Sequence, residues 1–155
     1  LAVGRLRNPA FLELVQSYAD RLRPFLHLRV EEVKDFPVRK GMSVKVAVDV
    51  EGQALAEKLP DGSLYFALDE RGKQKTTEDW ADLFQRFENQ AVKEVTFVIG
   101  GAYGLSDSIL RSAKDRLAHS KLTFPHELAR LVFFEQVYRA YTILRGIPYH
   151  HGEVN

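Results

Sequence analysis

The residues best suited to chemistry stand at the end of the chain, in RGIPYHHGEVN, where Tyr149, His150 and His151 follow a helix stop made by Gly146 and Pro148. An imidazole titrates near neutrality and can take or give a proton. A phenol can stack on a base or hydrogen-bond to it. Chain ends are poorly ordered unless something ties them down, so such a tail is either idle or docked into a site. One helix earlier, Glu135 and Arg139 stand at i and i+4 with the acid first, the favourable order for an ion pair. They follow four consecutive apolar residues, Leu131 to Phe134, and that buried setting turns a surface pair into a candidate functional carboxylate and guanidinium. His126 and Arg130 lie one turn apart near the helix start, where the partial positive end of the helix favours anions.

A second stretch, FVIGGAYGLSDSIL, runs from a buried strand into Gly100, Gly101 and Gly104 and then into a capped helix. Glycines at a strand's carboxyl end let backbone approach a ligand or adopt positive φ, and ligands of open α/β sheets sit outside those ends. The spacing G-G-x-x-G is neither the dinucleotide fingerprint nor a phosphate-binding P-loop. A tight structural turn and a loop for an adenosine-like ligand both remain open. Metal chemistry is not expected: there are five histidines but no cysteine, and His150-His151 lacks the i, i+4 spacing that puts two ligands on one helix face.

The elements that must position these residues alternate. LAVG reads as the end of a strand. Asn8 caps a helix with Pro9 in its first turn and Phe11, Leu14, Val15, Tyr18 and Leu22 at helical spacing, ended by Pro24. LHLRV alternates Leu26, Leu28 and Val30 like a half-buried strand. After a loop from Phe36 to Gly41, Val44, Val48, Leu55 and Leu59 suggest a helix that contains Gly52. SLYFALD follows a PDG turn as a strand, and Thr76 or Thr77 caps a helix bearing Trp80, Leu83, Phe84 and Phe87. EVTFVIG reads as a strand covered on both sides. Ser106 opens a helix through Ile109, Leu110, Ala113 and Leu117, and HSKLTF leads through Pro125 into a long helix to Arg145. This alternation predicts one α/β domain over residues 1–155, with a largely parallel sheet and helices on both faces.

Composition bounds the setting. Hydrophobic content of 45% and charged content of 28% are those of a globular domain large enough for a real core. No stretch approaches the about 20 apolar residues needed to cross a bilayer, and no export signal opens the chain. With zero cysteines there is no disulfide framework. A cytoplasmic protein is expected. Leu1 in place of Met suggests residues ahead of it. The net charge is only +1, but both ends are basic and the middle acidic, so the ends could assemble a surface for phosphates. The long helix, apolar around its circumference, suggests burial on more than one side and hence a C2 homodimer through it; the alternative is a helix sandwiched within one chain.

Taken together, FVIGGAYGL, ALDERGK and LTFPHELARLVFFEQVYRAYTILRGIPYHH resemble the bacterial 23S rRNA (pseudouridine-1915-N3)-methyltransferases of the SPOUT superfamily, and the likeness spans nearly the whole chain. The resemblance implies an α/β fold with a C-terminal trefoil knot, a homodimer, S-adenosylmethionine as cofactor, and the ribosome as substrate. It carries the family's cofactor residues onto Leu68, Gly100 and the run His119, Ser120, Lys121, Leu122, Thr123 and Phe124, whose backbone would hold the adenine. His119 stands where the family has small or aromatic residues, His151 where it has Lys or Arg, and the Asp35–Met42 segment is shorter.

Methylating N3 of a pseudouridine needs nitrogen, methyl carbon and sulfur held in line and a base for the N3 proton. The expected roles are His150 as base or positioning group, Tyr149 on the target base, and Glu135 with Arg139 completing the catalytic set. Arg130, His126 and His151 would contact RNA, since no linear RNA-binding motif is present. A non-catalytic nucleotide- or RNA-binding module on the same fold is the alternative.

Overall fold

A computed structural model describes residues 1–150. The elements run β1 (Ala2–Val3), α1 (Pro9–Leu22), β2 (Glu32–Val33), α2 (Val44–Lys58), β3 (Tyr65–Gln74), α3 (Thr77–Asn89), β4 (Thr96–Ile99), α4 (Asp107–Ser112), β5 (Asp115–Ala118) and α5 (His126–Leu144). The strands pair in the order β2-β1-β4-β3-β5, every pair parallel.

Local chemistry starts the helices where the sequence said they would begin. Asn8 accepts from the Ala10 N–H ahead of α1, Ser43 from Lys45 N–H ahead of α2, and Ser106 from Ile109 N–H ahead of α4. At α3, Thr76 and Asp79 form a reciprocal capping box. Helix α5 has no side-chain cap. Its first-turn Glu127 accepts instead from the backbone N–H groups of Arg7 and Asn8, which ties the start of α5 to the start of α1.

Alternation along the strands feeds two cores. Phe66, Ile99 and Leu117 pack with Val15 and Leu22 of α1, Trp80 and Phe84 of α3, and Phe133, Phe134 and Tyr141 of α5. Val3, Tyr65 and Val98 pack with Leu55 of α2 and Ile109 of α4. Helices therefore cover both faces. Gly52, in the middle of α2, is required by this second layer: a Cβ there would stand 2.1 Å from Ser106 Oγ. The residue that weakens α2 by propensity is the one that lets α4 dock on it.

Two expectations change. Leu26–Val30 is not a strand; Leu26 and Leu28 do pack on the core, but β2 is only Glu32–Val33 and pairs only with Ala2 and Val3. Helix α4 stops at Ser112, and Leu117 belongs to a strand, β5, that periodicity assigned to the helix. Its partner β3 makes it a strand, since Leu117 pairs first with Leu68 and again with Lys73 across a bulge at 69–72. Helix α5 packs against α1, α3 and β4 of its own chain, with more than half of its residues only partly buried.

Candidate active site

Parallel pairing brings together the segments singled out from the sequence. Leu68 of β3 pairs with Ile99 of β4 on one side and Leu117 of β5 on the other. Gly100 and His119 follow those partners directly or by one residue, so Leu68, the last residue of β3 before its bulge, lies beside Gly100 and the 119–124 segment at the carboxyl ends of β4 and β5. At Gly100 a Cβ would lie 2.5 Å from the carbonyl carbon of Gly104, and Gly104 itself has φ +83°. This turn is closed by backbone meeting backbone. The β3 bulge is equally tight: a Cβ on Gly72 would meet the Arg116 and Leu117 backbone at 2.6–2.7 Å. Thr123 Oγ1 donates to Glu70 Oε2 at 2.5 Å, which holds the 119–124 segment against that bulge, and Leu122 N–H donates to Ser120 Oγ at 2.9 Å.

His119 lies against Trp80, with ring centroids 6.4 Å apart, and against Phe124 and Phe133. Burial pushes its pKa below the ordinary value of 6.5, against a hydrogen bond to the Ala129 backbone that raises it. Its Nε2 is buried without a partner.

The tail is docked. After α5 ends at Leu144, the chain turns at Gly146 (φ +63°) and runs back along the helix. Tyr149 packs edge-on against Tyr138 at 4.9 Å, beneath the Arg139 guanidinium at 4.7 Å. Its hydroxyl donates to Glu135 Oε1 at 3.2 Å. Because that proton is used, Tyr18 of α1, whose oxygen is 3.2 Å away, must be the donor to Tyr149. Burial, the larger cause, and the Glu135 charge raise the Tyr149 pKa well above the usual phenol value, so it keeps its proton. Glu135 Oε1 also accepts from Arg139 Nε at 2.9 Å and Nη2 at 2.5 Å.

His150 is held from both sides. Arg139 Nη1, a donor only, faces Nδ1 at 3.3 Å, and Nε2 faces Glu78 Oε1 at 3.1 Å. That arrangement selects the neutral tautomer with the proton on Nε2 and the lone pair on Nδ1. Glu78 stands in the first turn of α3, whose Trp80 lies against His119. Tail and 119–124 segment therefore each touch the start of α3, at residues two apart.

Other expected residues sit differently. Arg130 is not available to RNA: it is 2% exposed, with Nη1 donating to Gly4 O at 3.0 Å and Nη2 paired with Glu32 at 2.6 Å. It pins α5 to the carboxyl ends of β1 and β2. His126 lies beside Gly4, its Nε2 3.9 Å from the position of a Cβ there, and is half-buried. His151 lies outside the described residues. Four residues that sequence reasoning passed over belong to the site: Tyr18, Glu70, Glu78 and Trp80. Tyr18 and Trp80 were legible only as core positions, and Glu70 and Glu78 as ordinary surface acids. A cavity of about 370 Å³ lies at the opposite, amino end of the sheet between Leu26–Glu31 and Val92–Phe97 and includes none of the tail or 119–124 residues. Among the described residues no group of three metal-ligating side chains occurs, and no helix is long and apolar enough to cross a membrane.

Residues 1–150, the whole of the described chain, match the family described as predicted SPOUT methyltransferase. The chain belongs to the SPOUT methyltransferases. Relatives in this family include proteins named ribosomal RNA large subunit methyltransferase H. The one from Gloeobacter violaceus is 41% identical over 152 residues, covering 98% of this chain and 97% of that one. Those from Nitratidesulfovibrio vulgaris and Bacteroides thetaiotaomicron are 40% and 36% identical over 151 residues, each covering 97% of this chain and 96% of the relative. As a SPOUT methyltransferase the chain needs a methyl donor, and its residues fit an adenosyl group. Leu122 in the 119–124 segment and Tyr103 in the glycine turn are 68% and 52% exposed, large side chains left uncovered at the carboxyl ends of β5 and β4.

Proposed function

We propose that this SPOUT methyltransferase transfers a methyl group from S-adenosylmethionine to N3 of pseudouridine 1915 in 23S rRNA, acting on the assembled ribosome in the cytoplasm. The observation that supports the reading is that the tail and the 119–124 segment both contact the start of α3, in a chain whose relatives are named as large-subunit rRNA methyltransferases.

When bound, S-adenosylmethionine supplies a methyl group already activated on a sulfonium, so the protein's task is to position the base and remove the N3 proton. Leu68, Gly100 and the 119–124 backbone hold the adenosyl end. His150 is the base. Its Nδ1 carries the lone pair, and Glu78 at Nε2 orients the ring and stabilises the imidazolium that forms once the proton has moved. Arg139, which faces Nδ1 in the docked tail, yields that position to the pseudouridine imide and holds the anion that develops on it. Tyr149 cannot be the base because its hydroxyl stays protonated and is used on both sides. It anchors the tail so that His150 is presented.

A homodimer belongs to the same proposal. Leu12 and Leu14 of α1, 54% and 47% exposed, are large apolar side chains left uncovered in the α1–α5 layer, where a second copy would cover them. Sedimentation of wild type and of L12E/L14E tests it: the wild type runs as a dimer and the variant as a monomer.

His150→Ala decides the catalytic assignment. Calorimetry with S-adenosylhomocysteine is expected to give wild-type affinity, while methyl transfer to ribosomes falls by at least about a hundredfold, within the range for loss of a general base. Unchanged turnover would remove His150 from the mechanism. Mass spectrometry of rRNA from cells with and without the protein identifies the modified position.

A further inference from the structure

Beyond the reaction centre, a strongly basic part of the described surface is a cleft on the edge strand β5. It has a volume of about 350 Å³ and lies between the β3 bulge and the α4–β5 turn, lined by Arg71, Lys73, Arg111, Lys114 and Arg116 with Asp115 as the single acid. Five cations against one carboxylate do not arise from internal pairing. Asp115 is taken by Lys73 at 2.9 Å, and Arg116 Nε is turned back onto Leu110 O at 3.2 Å. The side chains of Arg71, Arg111 and Lys114 make no ion pair among the described residues and are exposed. Burial tends to raise the Asp115 carboxyl, yet the Lys73 hydrogen bond, the Arg116 N–H and the charges of Lys73 and Lys75 hold it low. It stays ionised and cannot neutralise the rest.

The bulge that forms one wall of the cleft also touches the cofactor segment. Gly72 is pressed on the Arg116 and Leu117 backbone, and Glu70, two residues before it, accepts from Thr123. Cleft and cofactor segment are thus on opposite sides of four residues of chain. The kind of anion follows from exposure. Exposed cations give little to one small anion in water, because solvent screens each pair. Along a polyanion the same cations add, since each phosphate met releases condensed counterions.

We propose that this cleft is a binding site for the phosphate backbone of the RNA substrate, flanking the nucleotide that reacts. The site rests on the reading that the substrate is rRNA. It divides the labour between a reaction centre that handles one base and an edge that handles charge without reading sequence. An edge strand rich in cations also resists pairing with another sheet, and that role alone would leave RNA affinity unmoved.

The test compares three full-length proteins: wild type, R71E/R111E/K114E in the cleft, and R23E/K58E/K93E, three equally exposed cations toward the amino ends of the strands. The variants share one change in net charge. Rigid cofactor binding is checked with S-adenosylhomocysteine, and affinity for large ribosomal subunits is measured over a range of salt. The expected result is unchanged cofactor affinity in all three. For the cleft variant alone, the plot of log affinity against log salt becomes shallower by about 2 to 3, from about 0.7–0.9 per phosphate contact, and affinity at low salt drops at least about a hundredfold. Equal slopes for wild type and cleft variant, or equal losses in both variants, would overturn the proposal while leaving the methyltransferase reading intact. If instead the wild type methylates no rRNA but only the cleft variant loses RNA binding, the cleft stands and the reading of the substrate fails.

Discussion

The two halves of the candidate active site are made in opposite ways. The cofactor half is backbone: the Gly100–Gly104 turn, the Gly72 bulge and the 119–124 segment are shaped by close approach, with no room for a Cβ at Gly100 or Gly72. The tail half is side chain: Tyr18, Tyr149, Glu135, Arg139, His150 and Glu78 form one chain of hydrogen bonds on the surfaces of α1, α3 and α5. The first should resist added volume and tolerate changed polarity. The second should tolerate changed volume and fail when a single polar atom is removed. A half made of backbone gives shape, and a half made of titratable side chains gives chemistry.

Substitutions can break or sharpen that contrast. The largest effect is expected where both halves share a support. Arg130→Ala leaves Glu32 and the Gly4 carbonyl unanswered and frees the start of α5, at a cost of about 3 kcal/mol, near the value for breaking a buried pair. A lower denaturant midpoint at unchanged slope would show it. Gly100→Ala comes next. Its Cβ meets carbonyl backbone that cannot swing aside, so a loss of about 1–3 kcal/mol is expected, as for overpacking, with affinity for S-adenosylhomocysteine falling in step. Wild-type affinity in this variant would remove the backbone account of the cofactor half.

Tyr149→Phe is the matching test of the tail half. The ring and its packing stay, and only the two hydrogen bonds of the hydroxyl go, worth about 0.5–1.5 kcal/mol each. Methyl transfer should fall about tenfold with cofactor affinity unchanged, whereas equal activity would mean that packing alone docks the tail.

The smallest effect is a pH dependence. Burial lowers the His119 pKa in the folded chain below 6.5, so below 6.5 the unfolded chain binds the extra proton first. Stability from this group is therefore present above 6.5 and lost as pH falls toward the folded value. Thermal melts of His119→Gln should show a shallower decline than wild type between about pH 7 and pH 5.

Helix starts at Asn8, Thr76 and Ser106 were legible because each is a local event that satisfies an N–H two or three residues away. Strand β5 was not. Its residues Asp115–Ala118 continue the α4 periodicity in sequence, and only the presence of β3 alongside makes them a strand. Leu26–Val30 shows the reverse, an alternation with no backbone partner to pair with. Arg130 was read correctly as special and assigned the wrong task, since nothing in its spacing tells a buried brace from a phosphate ligand. Tyr18 and Glu78 were out of reach altogether, being 131 and 72 residues from the tail positions they hold.

Residue types and short spacings alone determined that the chain is α/β and where most of its helices begin, and they marked Gly100, Tyr149, His150, Glu135 and Arg139 as candidates. Tertiary structure decided the strand order, the bulge that joins the cofactor segment to a basic cleft, and the direction in which the tail folds back. It also set the tautomer of His150, because a ring proton goes to whichever nitrogen faces an acceptor, and both Arg139 and Glu78 reach that ring only after the helices have packed.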